Sequence, residues 1–310
     1  MSPPRPLPRR RRIEGRGGRW LITGTGRGLG RELARLAEDE LGAEVIGIDR
    51  SEPAGVRSAG HLRADLSTRS GMEQALELIR DWKPTVLVNN AATNQSRRVA
   101  DTPAPLVDEI ITVGFTTPFM LMREMARVHR GTDQDTWVIN IVSPYRQIGV
   151  RTHSLYCATK AALSRAGEAL GVEPETAGSL TVVSVVPGAF ASGFRPVEPH
   201  DAWLVRTYRG LRSRSAAPVA TQLVARLRRG TRRRHWTIRL GWDGRAFEVI
   251  TRLGTGDLLL AAIDALIGQR PGPADGHDRG AAEDHDERDR DVPEVGLGEA
   301  AHQHEAHQQH

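Results

Sequence analysis

Short apolar runs that alternate with longer amphipathic segments constrain this fold more than any other feature. Apolar strand-like runs lie at 19–23, 44–49, 85–92, 137–143 and 182–188, and amphipathic segments at about 71–81, 104–129 and 154–170. Near-continuous apolar strands are typical of a parallel sheet that is buried on both faces. The order therefore predicts an α/β protein, with helices covering both faces of the sheet.

A glycine turn follows the first predicted strand. Arg19–Thr23 runs into Gly24-Thr25-Gly26-Arg27-Gly28-Leu29-Gly30, and an amphipathic segment with Leu33, Leu36 and Leu41 follows. In a strand–turn–helix context, glycines let the backbone approach a pyrophosphate, and the helix start supplies free N–H groups. The alternative is a turn that only connects a strand to a helix. We favour a nucleotide site because the next strand also ends in a suitable residue.

That residue is Asp49, which ends the strand Glu44–Asp49. An acid at this point can bind both hydroxyls of an adenosine ribose, whereas a 2′-phosphate would meet a like charge. Asp49 thus favours NAD over NADP. Arg27 and Arg50 argue the other way, because either could pair with a phosphate. We give Asp49 more weight, since its carboxylate is expected at the ribose edge itself.

A second constellation is Tyr156 and Lys160, four residues apart, with Ser143 thirteen residues before Tyr156. On a helix, residues i and i+4 share a face. A lysine ammonium beside a phenol is expected to lower the phenol pKa from its usual value near ~10 and so to favour proton transfer. The pair is weak alone, and it gains weight from the nucleotide site before it.

These pieces together resemble the short-chain dehydrogenases/reductases, in their single-domain branch, over about residues 18–245. The matching motifs are Thr23-Gly24-x-x-x-Gly28-x-Gly30, Asp65-Leu66, Asn89-Asn90-Ala91-Ala92, Ser143, Tyr156-x-x-x-Lys160 and Pro187-Gly188. The resemblance implies a Rossmann-type doubly wound parallel sheet. It also implies hydride transfer between a nicotinamide cofactor and a carbonyl or secondary alcohol of a small substrate.

The resemblance also implies a role for each motif. Tyr156 would be the general acid/base, Lys160 would bind the nicotinamide ribose and lower the tyrosine pKa, and Ser143 would hold the substrate oxygen. Ser192 stands where the family often has Thr and would hold the carboxamide. The cofactor-binding residues implied are Thr23, Gly24, Arg27, Gly28, Leu29, Gly30, Asp49, Asp65, Leu66, Asn90, Ala91, Tyr156, Lys160, Pro187, Gly188 and Ser192.

The main departure from the family pattern is Gly114. It stands in Val113-Gly114-Phe115-Thr116-Thr117-Pro118-Phe119, where the family usually has an Asn that supports a water-linked proton relay to the lysine. We expect a water to replace the amide, and we expect Gly114→Asn to preserve or raise turnover. The change encourages an alternative function, that of a non-catalytic dinucleotide sensor.

Composition predicts one catalytic domain between two tails. The domains expected are a disordered basic tail at 1–18, a dehydrogenase domain at 19–269 with a substrate lid at about 190–217, and a disordered tail at 270–310. The final 40 residues hold 11 acids, 3 arginines and 6 histidines, a composition that favours disorder. We expect no metal site, because the histidines are better explained as a solvated tail.

The remaining expectations concern surroundings and partners. The single cysteine, Cys157, predicts a reducing, cytoplasmic location. No apolar run reaches the ~18 residues of a membrane span. Six arginines between Arg226 and Arg234 form a basic patch, for which we prefer an anionic substrate to nucleic acid, since no nucleic-acid motif accompanies them. Assembly as a homodimer or homotetramer is expected through 104–129 and 154–170.

Overall fold

Seven strands form one sheet: β1 Arg19–Thr23, β2 Glu44–Asp49, β3 Gly60–Arg63, β4 Val86–Asn89, β5 Thr136–Ile141, β6 Leu180–Val186 and β7 His235–Arg239. All neighbours are parallel, in the order β3-β2-β1-β4-β5-β6-β7. This computed structural model describes residues 10–13, 18–52, 59–93, 96–173, 180–188 and 215–241. The strand order reverses between β1 and β4, which places a ligand crevice at the carboxyl ends of these two strands.

Six α-helices accompany the strands within the described residues. They are α1 Gly28–Leu41, α2 Arg69–Trp82, α3 Ala104–Ile111, α4 Thr117–Val128, α5 Ser154–Leu170 and α6 Ala216–Arg229. A π-helical turn, Thr112–Thr116, joins α3 to α4. The predicted α/β class and the parallel sheet are confirmed, and β1, β2 and α5 have the bounds that the sequence predicts.

The core consists of two apolar layers, one on each face of the sheet. Successive strand residues point to opposite faces, so Trp20 and Ile22 pack with α1 and α6 while Leu21 packs on the other side with α2, α4 and α5. Leu21 and Ile22 are completely buried. Burying one such side chain stabilises the fold by about 1.5–3 kcal/mol. The double coverage explains why the central strands are apolar on both faces.

The helical run Ala104–Val128 is long and apolar enough to cross a membrane, judged by length and composition alone. In this fold it behaves as a core helix, because Leu121, Met122 and Met125 are almost fully buried against the sheet. Its outer side exposes Ile111 and Phe119. The predicted contact between subunits through this side stays a prediction.

Residues 10–13, within the segment 1–18 that is predicted to be a disordered tail, contact the domain. Arg11 and Thr231 exchange two backbone hydrogen bonds of 2.8 and 2.7 Å, and the Arg11 guanidinium donates to the Leu180 carbonyl oxygen at 3.2 Å. Ile13 is buried in the core beside α6. The short segment thus covers the amino-terminal edge of β6 and β7.

A buried carboxylate joins α2 to α4. Glu124 on α4 is 2% exposed, and its Oε1 accepts hydrogen bonds from Arg80 Nε at 3.1 Å and from Arg127 Nη2 at 2.7 Å. The hydrogen bonds from Arg127 and Arg80 outweigh burial and hold the pKa of Glu124 below its ordinary value of 4.5. The carboxylate therefore stays ionised at neutral pH and fixes α4 against α2.

We predict that Glu124→Gln lowers the free energy of unfolding at pH 7 by about 1–2 kcal/mol, since the two arginines are partly exposed and the pairing is screened. A carboxyl group whose folded pKa is lowered stabilises the fold above its unfolded pKa, and this contribution is lost as the pH falls through the folded pKa. The difference between wild type and variant should therefore shrink in acid. Urea unfolding at pH 7 and below pH 4.5 measures it.

Glu77→Gln is the matched control, because Glu77 lies exposed on α2. It should change the free energy of unfolding very little at either pH. Equal effects of the two substitutions at pH 7 would contradict the structural role given to Glu124.

Candidate active site

The glycine turn between β1 and α1 is closed by contacts that leave no room for side chains. Gly24 has a φ of 75°, and a Cβ on it would lie 2.8 Å from Asn90 Nδ2. A Cβ on Gly30 would lie 2.1 Å from the Gly24 carbonyl oxygen. Glycine is required at both places, once for the left-handed backbone and once for close packing. The start of α1 therefore sits directly on the turn.

Thr23 and Asn90 hold the turn in place. The Thr23 hydroxyl accepts hydrogen bonds from the backbone N–H groups of Asn90 and Ala91, both at 3.0 Å. Asn90 Nδ2 donates to the carbonyl oxygens of Thr23 at 2.9 Å and of Gly24 at 3.1 Å. Both residues were expected to bind the cofactor. Their described contacts are with the backbone of the crevice, so they act on a ligand by positioning the turn.

The amino end of α1 forms the floor of the crevice. Arg27 precedes the helix in an extended conformation and its side chain makes no capping hydrogen bond. The first N–H groups of a helix have no partner within it, and with the helix dipole they attract an anion. Leu29 is 3% exposed because its side chain enters the core. Only its backbone N–H can therefore serve a phosphate, as expected of this motif.

Asp49 lies against the glycine turn. Its Oδ2 accepts a hydrogen bond from Gly26 N at 2.9 Å, and its Oδ1 accepts from the N–H and the hydroxyl of Ser51 at 3.0 and 2.9 Å. Burial by itself would raise its pKa, but the hydrogen bonds from Ser51 and Gly26 outweigh it, so that the pKa lies below its ordinary value of 3.8. A full negative charge therefore stands beside the turn at neutral pH.

Asp65 and Leu66 follow β3, the strand next to β2. The Asp65 carboxylate accepts two hydrogen bonds from Ser67, at 2.9 and 2.7 Å, and lies 3.8 Å from Arg50 Nη1. The Leu66 side chain is buried, and its carbonyl oxygen accepts from Thr117 Oγ1 at 2.8 Å. Arg50, which the sequence offers as a phosphate ligand, thus leans toward an acid.

Ser143, Tyr156 and Lys160 come together at the carboxyl end of β5. The Ser143 hydroxyl and the Tyr156 phenol are hydrogen-bonded. Lys160 Nζ lies 5.7 Å from the centre of the Tyr156 ring and donates to the Ile141 carbonyl oxygen at 2.9 Å. Lys160 is 3% exposed. The convergence expected from the spacing of these three residues is therefore present.

The expected lowering of the Tyr156 pKa is not found in this structure. Burial raises the pKa of Tyr156 to about 12, against the opposing hydrogen bond from Ser143. Burial likewise lowers the pKa of Lys160 to about 8. At neutral pH the pair is thus a neutral phenol beside an ammonium. Desolvation outweighs the attraction because the ammonium is directed to the backbone of β5 rather than to the phenol oxygen.

Gly114 occupies the π-helical turn opposite α5. A Cβ there would lie 2.8 Å from both Cβ and Oγ1 of Thr159. Thr159 lies between Tyr156 and Lys160 in the sequence, and its side chain is buried. Its hydroxyl donates to the Tyr156 carbonyl oxygen at 3.0 Å. Thr159 therefore closes the space that a side chain at 114 would need, while the expected effect of Asn on turnover stays a prediction. Because Gly114 has no side chain, the π-helical turn and α5 can approach each other more closely.

Two aromatic rings beside the reactive phenol were not singled out from the sequence. Tyr145 meets Tyr156 edge-on at a ring separation of 6.4 Å, and His153 meets Tyr145 at 6.0 Å. Tyr145 also donates its backbone N–H to the Ser143 hydroxyl at 3.2 Å. Tyr145 stands two residues after Ser143 and His153 three residues before Tyr156, and this closeness in sequence could have identified them. They form an aromatic wall at the reaction centre.

Other predicted residues lie at the edge of the description or beyond it. Pro187 and Gly188 are buried directly after β6. Ser192 and nearly all of the lid at 190–217 lie outside the described residues, apart from 215–217, where α6 begins. The arginine patch precedes the amino end of β7. Since all strands are parallel, that patch lies at the opposite edge of the sheet from Tyr156, so it cannot hold a substrate there.

We predict that Gly114→Ala lowers the free energy of unfolding by about 1–3 kcal/mol, although Ala normally favours a helix over Gly by about 0.8–1.0 kcal/mol. The reason is the closed space at Thr159. Gly114→Asn should be worse. Urea unfolding measures both. Thr159→Gly in the Gly114→Ala background should recover part of the loss, whereas a Gly114→Ala protein as stable as wild type would show that the helices separate at little cost.

Known proteins of similar sequence are reductases or oxidoreductases. The chain is 29% identical over 181 residues to a probable oxidoreductase, EphD, of Mycobacterium tuberculosis, covering 54% of this chain and 30% of that protein. It is 27% identical over 169 residues to D-erythrulose reductase of Gallus gallus, covering 51% and 65%. The chain thus spans less than two thirds of these relatives.

Solved structures share the fold. A short-chain dehydrogenase from Streptomyces avermitilis matches with a TM-score of 0.64 at 25% identity, covering 82% of this chain and 98% of that one. Two others, each with a TM-score of 0.61 and at 18% and 23% identity, contain NADH and NADP respectively. The family model described as short chain dehydrogenase matches residues 19–202, more than half of the chain. The chain therefore belongs to the short-chain dehydrogenase family.

Proposed function

We propose that this protein reduces a carbonyl group of a small organic substrate to a secondary alcohol with a nicotinamide cofactor. The observation that carries the proposal is the neutral, partly buried phenol of Tyr156, hydrogen-bonded to Ser143 and flanked by the Lys160 ammonium. Such a group is a proton donor at neutral pH, which is what carbonyl reduction requires.

The residues of this chain divide the chemistry among them. The hydroxyls of Ser143 and Tyr156 are close enough to hold one carbonyl oxygen between them. Tyr156 gives its proton to that oxygen as negative charge develops on it, and the Lys160 ammonium stabilises the tyrosinate that remains. The dinucleotide, when bound, supplies the hydride. The aromatic wall of Tyr145 and His153 excludes water from one side.

The crevice between β1 and β4 fits the dinucleotide. The glycine turn gives the close backbone approach that a pyrophosphate needs, and the start of α1 supplies the free N–H groups. The Asp49 carboxylate, ionised and fixed by Gly26 and Ser51, stands where a 2′-phosphate would be repelled. We therefore propose NAD as the preferred cofactor.

We predict that Tyr156→Phe reduces turnover at least ~10³-fold, because the proton donor is gone, while the dissociation constant for NADH changes less than threefold. Carbonyl substrates are screened by nicotinamide absorbance, and NADH binding by its fluorescence. Turnover that survives the substitution would overturn the proposed chemistry.

A wild type that binds NADH and turns over no carbonyl compound would instead favour the alternative function, a non-catalytic dinucleotide sensor, which Gly114 encourages.

We predict that the dissociation constant for NADH is lower than that for NADPH by about tenfold or more, because the Asp49 carboxylate repels the 2′-phosphate of NADPH. Asp49→Asn keeps an oxygen acceptor for Gly26 N and removes the charge, so it should narrow that ratio by strengthening NADPH binding. Asp39→Asn is a control on the surface of α1. A ratio unchanged by Asp49→Asn would show that the selectivity has another source.

A further inference from the structure

Two loops beside the reaction centre are fastened to each other. Arg97, after β4, donates its backbone N–H to the Thr152 carbonyl oxygen at 2.9 Å, and the hydroxyls of Ser96 and Thr152 are 2.7 Å apart. Thr152 has a φ of 63° and precedes His153, which belongs to the aromatic wall. The Arg97 backbone is thus linked to Thr152, and Thr152 is followed by His153, whose ring contacts Tyr145 and through it the Tyr156 ring.

One nitrogen of the Arg97 side chain is buried without a hydrogen-bond acceptor in the described structure. This atom is Nε, and Arg146 Nε has the same status, whereas the guanidinium groups of Arg80 and Arg127 bind Glu124. Leaving a charged donor buried without an acceptor is unfavourable. We expect the hydrogen-bond acceptor of the Arg97 side chain to be an anionic group of a bound ligand.

The charge around Arg97 points the same way. The segments 96–98 and 146–153, which meet at Thr152, contain Arg97, Arg98, Arg146 and Arg151 and no Asp or Glu. Arg146 is already used, since it donates to Ser164 on α5 at 3.3 Å. Like-signed charges at the rim of a site raise the local concentration of an oppositely charged substrate.

We infer that the substrate carries a carboxylate and that the Arg97 guanidinium binds it. The inference rests on the proposed carbonyl reduction and names its substrate class, an oxo acid. A guanidinium presents a planar fork of N–H donors that matches the two oxygens of a carboxylate. With the carboxylate held by Arg97 at the rim, the keto group of the same molecule extends along the aromatic wall to Ser143 and Tyr156. On this inference the anionic group of the substrate is bound by Arg97, and not by the arginine patch at 226–234 as the sequence suggests.

The experiment compares short oxo acids with their methyl esters as substrates, with NADH as the reductant. Wild type should prefer the acid, with a kcat/KM at least ~10-fold higher than for the ester. Arg97→Gln should lower kcat/KM for the acid ~10- to 100-fold, mainly through KM, and leave the ester within about twofold. Arg97→Lys should recover part of the loss. Arg123→Gln is the matched control, since Arg123 is exposed on α4, outside these loops, and it should change neither substrate.

Equal losses for acid and ester in Arg97→Gln would overturn the inference, because the residue would then be structural. If wild type turns over neither compound, calorimetric titration of the same acid and ester into the NADH-saturated protein decides: no preference for the acid overturns the inference. The proposed chemistry fails by a different result, turnover that survives Tyr156→Phe. The two failures are therefore distinguishable.

Discussion

The site depends on one contact, the side-chain amide of Asn90 lying across the carbonyl oxygens of Thr23 and Gly24. It joins the end of β4 to the turn after β1, the two strands between which the strand order reverses. Without it, two backbone carbonyl groups in the crevice would lose their partner, and an unpaired buried polar group costs about 1–3 kcal/mol. The same amide crowds Gly24 and Gly30, which is why those positions exclude a side chain.

Burial governs the chemistry as much as charge does. Lys160 is buried and Tyr156 is partly buried, and desolvation shifts their pKa values in opposite directions, to about 8 and about 12. Each shift favours the uncharged form. The phenol therefore keeps its proton and the ammonium keeps its charge at neutral pH, which is the state from which the proposed reduction would start.

The positions of the arginines show that the topology of the sheet, more than local charge density, decides which of them are near the site. By composition the patch at 226–234 is the most basic part of the domain, yet it lies at the amino-terminal edge of the parallel sheet. Arg97 is a single residue in a loop, but the loop follows the carboxyl end of a strand. In a parallel sheet only that edge faces the reaction centre. Position along the strand therefore outweighs the density of charge.

The sequence by itself determined the α/β class, the glycine turn and the spacing of Ser143, Tyr156 and Lys160, because apolar periodicity and motif spacing are local properties of the chain. Only the tertiary structure decided that Thr159 fills the space before Gly114, that residues 10–13 dock on the sheet, and that the loop of Arg97 is hydrogen-bonded to Thr152. Those facts join segments distant in sequence, and no local pattern records which side chain meets which. The Tyr156 pKa belongs to this second group, since desolvation depends on everything packed around the ring.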